Sequence, residues 1–131
     1  EAKRDALTHS EQVEFLGFLD EYETVLGQMR DADVFASPST REGFGITFAE
    51  AMAAECTVIG ADHSDSAVDE VIGEAGFLPA PTVEGVSGTL RRALSGEQPA
   101  GDPVARAQQF DWDQVAAQAE AAYHAAVLDE W

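Results

Sequence analysis

Basic residues are the scarcest class in this chain: seven Lys and Arg stand against 25 Asp and Glu, for a formal charge of −18. Lysine occurs once, at Lys3. Affinity for nucleic acid rests on cations that neutralise backbone phosphates, so this balance argues against a nucleic-acid partner. Cysteine also occurs once, at Cys56, which rules out an internal disulfide. No Cys/His cluster offers a zinc site either. No apolar run approaches a membrane span, and the start lacks the charged, apolar and small-residue succession of a signal peptide. A reducing cytoplasm is the expected setting. There is no internal repeat and no low-complexity segment, and 131 residues suit one domain, 1–131.

What is present reads as a folded protein. Hydrophobic residues make up 45% of the chain and fall in periodic segments, which excludes disorder despite the charge. The acids are dispersed rather than gathered in a tail. Such a surface stays soluble in concentrated salt, where self-repulsion is screened, so a halophilic source is expected.

Strands and helices alternate along the chain. Val13 to Leu19 are apolar and β-prone, a strand with its exit turn. Tyr22, Val25, Leu26 and Met29 then recur at helical spacing, with Asp20 as the expected N-cap. Ala32 to Ser37 form a second strand ended by Pro38. A helix through Phe48, Glu50 and Met52 leads to a third strand, Thr57 to Ala61. A short helix from Ala67 to Ile72 precedes a minimal fourth strand, Gly76 to Leu78. Val83 to Leu94 read as helix, and Pro103 suits a first helical position after Asp102. Asp111 caps a last helix running to about Glu130, with Trp112, Val115, Tyr123 and Val127 as its apolar anchors. Apolar strands between helices predict an α/β fold, a parallel Rossmann-like sheet covered on both faces.

The chemistry concentrates in Thr40 to Met52, T-R-E-G-F-G-I-T-F-A-E-A-M. Glu42 and Glu50 stand eight positions apart around a Gly43-Phe44-Gly45 turn that opens a helix. Such a turn leaves backbone N–H groups without internal partners, and the helix dipole adds to their pull on an anion such as phosphate. One carboxylate at each end could hold the two hydroxyl-bearing ends of a nucleotide sugar. The turn follows a strand, and ligands of open α/β sheets bind at the carboxyl ends of strands. Position 48 is Phe, so the third glycine of a dinucleotide fingerprint is missing and a Rossmann dehydrogenase is disfavoured. The bland alternatives are an exposed helix glutamate at position 50 and a first-turn acid at position 42. His9 and His124 read as surface residues, and Cys56 as a small buried side chain. His63 follows the third strand at the same end of the sheet as the turn.

The string P-S-T-R-E-G-F-G-I-T-F-A-E-A-M-A resembles the signature of the retaining GT4-type glycosyltransferases, which have the two-domain GT-B fold. The resemblance extends through A-D-V-F-A-S-P-S before it, and V-I-G, E-V-I and A-G-F-L after it, to Trp112 and Tyr123 of the closing helix. It implies the C-terminal, donor-binding lobe of such an enzyme. Glu42 would contact the hydroxyls of the donor sugar. Backbone amides of Gly43, Phe44, Gly45, Ile46 and Thr47 would meet the sugar and diphosphate, and Glu50 would bind the ribose. From Gly45 to Glu50 is about 7–8 Å along a helix, comparable to a diphosphate between two sugar rings. No metal or other cofactor is required by the resemblance.

Three departures stand out. Glu55 replaces a glycine that would end the helix in a left-handed conformation, which costs a glutamate about 1 kcal/mol. Thr57 replaces a proline. Most important, the two opening strands of the family's lobe are not found, nor is their Gly-Arg turn and downstream Lys that grip the diphosphate. The acceptor-binding N-terminal lobe is likewise outside this sequence, so the chain reads as a partial lobe, inactive alone. In the parent fold the absent strands would lie between those at Val13 and Val34. The expectation is that these two pair directly, or that strands are exchanged in a dimer. Two other readings remain open: a non-catalytic nucleotide-sugar-binding or interaction module, and an epimerase or phosphorylase on the same scaffold.

Overall fold

In the computed structural model, residues 7–128 are described. A 3-10 turn at Ser10–Gln12 leads into helix α1 (Tyr22–Arg30), strand β1 (Val34–Ala36), helix α2 (Ile46–Ala53) and strand β2 (Thr57–Ile59). Helix α3 (Val68–Ile72), strand β3 (Gly76–Phe77), and helices α4 (Val83–Leu94), α5 (Pro103–Gln108) and α6 (Trp112–Val127) complete the order. The three strands form one parallel sheet in the order β1-β2-β3. Val34 pairs with Thr57 and Val58 with Gly76. The ladder continues past the strand ends, with Ser37 N–H donating to Ile59 C=O at 3.0 Å and Gly60 N–H to Phe77 C=O at 2.9 Å.

Parallel strands need crossovers, and right-handed connections place α2 and α3 together on one face. Their apolar residues Phe48, Ala51, Met52, Val68, Val71 and Ile72 form the main core with Met29, Cys56 and Val58. Phe48 is fully buried and meets Phe35 edge-on, ring centroids 5.4 Å apart. Burial of such a ring stabilises the fold by about 1.5–3 kcal/mol. Side chains alternate along a strand, so Ile59 points away from Val58. It is buried, as are Thr89 and Ala93 of α4, which packs on β1 and β2. The sheet is thus flanked by helices, as expected.

Caps at the later helices follow the sequence closely. Asp102 Oδ1 accepts from Val104 N–H and Ala105 N–H at 2.9 and 3.1 Å, with Pro103 at the first helical position. Asp111 caps α6 by accepting from Asp113 N–H at 2.9 Å. The first helix departs from expectation: its N-cap is Glu21 rather than Asp20, and no side chain caps it.

Two further expectations fail. Residues 13–19 lie outside the sheet, and among the described residues no strand flanks the outer edge of β1. Direct pairing of the Val13 and Val34 segments is therefore ruled out in this chain. Which segments join a sheet is decided by the tertiary arrangement, and apolar composition alone does not settle it. The second failure is α6, none of whose described residues is buried. Trp112, Tyr123 and Val127 are 82%, 75% and 83% exposed, so they do not anchor it to the core. The expected helix end at Glu130, like Lys3 and Arg4, falls outside the described residues. Among the described residues no helix is long and apolar enough to cross a membrane.

Candidate functional site

The loop after β1 and the N-terminus of α2 stand at the carboxyl end of the sheet. Gly45 is the N-cap of α2, in the left-handed region at φ +82°, ψ +49°. A Cβ there would lie 2.9 Å from Cδ2 of the buried Phe48 ring and 3.2 Å from Glu42 Cγ. Glycine is therefore demanded twice over, by backbone angle and by space. No side chain caps α2, so its first-turn N–H groups, at Ile46 and Thr47, remain available as donors. Gly43 differs, with open space where a Cβ would be.

Glu42 and Glu50 are set apart from the other acids by burial. Among the described residues they alone of the Asp and Glu are half-buried; every other one is exposed. Glu42 also ties two loops together, because its C=O accepts from Ala67 N–H at 3.0 Å. This clip brings the segment after β2 against the turn. There His63 is half-buried, and its Nδ1 accepts from Asp65 N–H at 3.1 Å. That bond leaves Nε2 as the proton-bearing nitrogen of the neutral ring. Nearby, Ser66 Oγ is buried without a hydrogen-bond partner.

Glu50 projects from α2 toward α1, where the Tyr22 hydroxyl donates to its Oε1. That hydrogen bond, followed by desolvation and the charges of Glu50 and Glu23, raises the Tyr22 pKa above its ordinary value. Sequence reasoning placed Tyr22 only on the apolar side of a helix. Twenty-eight positions separate it from Glu50, and no local spacing signals their contact. Beside the pair runs a groove of about 1180 Å³, lined by Tyr22, Ile46, Glu50, Phe44, Phe110 and Trp112 among others. The Phe44 ring is half-exposed and rests edge-on against Phe110, centroids 5.5 Å apart, within the chain's own packing. Thus Glu50, Ile46 and Phe44 line the groove together, whereas Glu42 is not among its lining residues and lies beside Gly45, its C=O accepting from Ala67 N–H.

Other polar groups have structural uses. Cys56 is buried, its thiol donating to Met29 C=O at 2.9 Å, and burial followed by the charge of Asp33 raises its pKa. A thiol held protonated in this way is no nucleophile. His9 and His124 are exposed. The chain also contains two Asp-x-Asp pairs, Asp31/Asp33 and Asp111/Asp113. Among the described residues no group of three His, Cys, Asp or Glu is placed to hold a metal.

The sequence model described as Glycosyl transferases group 1 matches residues 1–110. The chain belongs to the group 1 glycosyltransferases. Within that family it is 36% identical over 110 residues to a phosphatidyl-myo-inositol mannosyltransferase of Mycolicibacterium smegmatis, an alignment covering 79% of this chain. The alignment spans 28% of that relative's length, so this group 1 chain corresponds to a part of the larger protein. The matched region contains β1, the glutamate turn, α2 and both crossovers; α6 lies beyond it.

Proposed function

We propose that the chain is the nucleotide-sugar donor-binding part of a retaining, GT4-type glycosyltransferase with GT-B architecture. In this reading it transfers a hexosyl group to an acceptor held by a separate lobe, in a cytoplasmic setting. The observation that carries it is that Glu42 and Glu50, alone half-buried among the described Asp and Glu, stand before and within a helix whose N-terminus is uncapped at the carboxyl end of a parallel sheet. The amides of Gly43, Phe44, Gly45, Ile46 and Thr47 face the diphosphate and sugar, and Glu50 accepts from the ribose hydroxyls. Glu42 holds the sugar as the bond from its anomeric carbon to the diphosphate breaks. Charge then builds on the diphosphate while the sugar approaches an oxocarbenium ion, and fixed N–H dipoles stabilise the departing oxygen. The acceptor hydroxyl oxygen forms the new bond to the anomeric carbon, and its proton passes to the departing diphosphate oxygen. Chemistry of this kind needs no metal in the chain.

The test is a ligand split. Glu50→Ala weakens binding of both a free nucleoside diphosphate and its sugar conjugate, by about tenfold or more for a lost charge-assisted hydrogen bond. Glu42→Ala spares the free diphosphate and weakens only the conjugate. Calorimetry with UDP, GDP and ADP and their glucose or mannose conjugates reads both effects. Equal losses for both ligands in both variants overturn the assignment of ends. A second reading, a non-catalytic nucleotide-sugar-binding or interaction module, uses the same turn and the same two half-buried glutamates. Both readings expect no transfer from the chain alone, because a two-substrate site needs both partners positioned. Adding an acceptor-binding lobe restores turnover only under the first.

A further inference from the structure

We propose that Tyr22 is the positioning residue for Glu50, orienting its carboxylate toward the ribose hydroxyls of a bound nucleotide; this rests on the donor-binding reading above. A glutamate on an exposed helix face has three rotatable side-chain bonds, and fixing them in one arrangement on binding lowers affinity. Glu50 is already held. The Tyr22 hydroxyl, at the first residue of α1, donates to Oε1, and α1 packs directly on α2. Oε2 is left as an acceptor for the hydroxyls of a ribose ring. Tyrosine suits this task because its rigid ring has few rotamers and its hydroxyl carries a single proton. The proton stays on the phenol, since the carboxylate beside it disfavours the tyrosinate. Tyr22 is 57% exposed, so its ring is not needed to fill the core, and removal of the hydroxyl alone leaves packing unchanged.

Two measurements on the whole chain test the idea. The first reads the contact without any ligand. The chain has two tyrosines, so a Tyr123→Phe background leaves Tyr22 as the sole phenol. Its ultraviolet alkaline titration has a midpoint above about 10, and Glu50→Gln returns it toward that ordinary value. A midpoint that Glu50→Gln does not move overturns the contact. The second reads its use, by calorimetry with UDP, GDP and ADP and with their 2′,3′-dideoxy counterparts. Tyr22→Phe weakens the best-bound ribonucleotide about fivefold and leaves the dideoxy form unchanged, the size of one neutral hydrogen bond. Glu50→Gln with Tyr22→Phe loses no more than Glu50→Gln alone. Equal losses for ribose and dideoxy ligands, or tighter binding by Tyr22→Phe, overturn the positioning role while the donor-binding reading stands. If no nucleotide binds the unaltered chain, the donor-binding reading falls, and the proposal with it.

Discussion

Gly45 carries a constraint that Gly43 escapes, although the two are separated only by Phe44. At Gly45 a methyl group meets the buried Phe48 ring at 2.9 Å, with the backbone already at φ +82°. Gly45→Ala therefore destabilises the chain by about 2 kcal/mol, from left-handed strain and crowding together. Gly43→Ala has open space around it and changes stability by under about 0.5 kcal/mol. Urea unfolding of the two variants makes the comparison, and equal losses refute it. The contrast separates two glycines in one turn: position 45 shapes it, while position 43 borders open space that a side chain could occupy. The glutamates behave similarly. Their chemical type is common in this chain, and only their partial burial distinguishes Glu42 and Glu50 from the solvated acids around them.

At the scale of elements, the end of α2 shows a motif built with the wrong residue. Cys56 N–H donates to Ala51 C=O at 3.0 Å and Glu55 N–H to Met52 C=O at 3.1 Å. This is the Schellman pattern, whose left-handed position normally holds glycine. Here Glu55 holds it at φ +68°, the sole non-glycine residue of positive φ among those described. Glu55→Gly relieves that strain and raises stability by about 1 kcal/mol, or a Tm gain of about 4 °C, read by calorimetric melting. No gain, or a loss, shows that the site accommodates glutamate without strain. The left-handed helix end was implied only by the resemblance, which has a glycine where Glu55 stands; nothing in Ala54-Glu55-Cys56 itself signals it. The Asp102 and Asp111 caps and the glycine turn before α2 were legible in the residues because helix ends are local: their hydrogen bonds join residues within one turn. Pairing is not local. Residues 13–19 have strand-like composition but lie outside the sheet, since sheet membership is set by how distant segments come together. The Trp112, Val115 and Tyr123 spacing likewise identified a helix but not what its apolar side would meet. Tyr22 was invisible for a third reason: its contact with Glu50 depends on how α1 crosses α2.

For the molecule as a whole, excess negative charge governs the response to solvent. With a formal charge of −18, the folded chain repels itself more strongly than the expanded one. Only one ion pair between an Arg and an acid, Arg92 with Glu97, offsets this among the described residues. At 1 M salt the screening length falls to about 3 Å, so added KCl raises the urea midpoint steadily from dilute buffer upward. A midpoint unchanged across that range counts against a protein adapted to salt. The buried thiol of Cys56 adds a different possibility. It is fully enclosed between β2 and the carbonyls that end α1, and it is the chain's single cysteine. A small alkylating reagent in solution reaches it only when the packing around it, from α1 and from residues 16–19, opens. The chain therefore carries its own clock. The rate at which one adduct accumulates in native buffer, divided by the rate for an unprotected thiol, gives the fraction of time that this seam stands open. Since α1 also bears Tyr22, a ligand that fastens Tyr22 and Glu50 together slows the clock, and mass spectrometry counts its ticks.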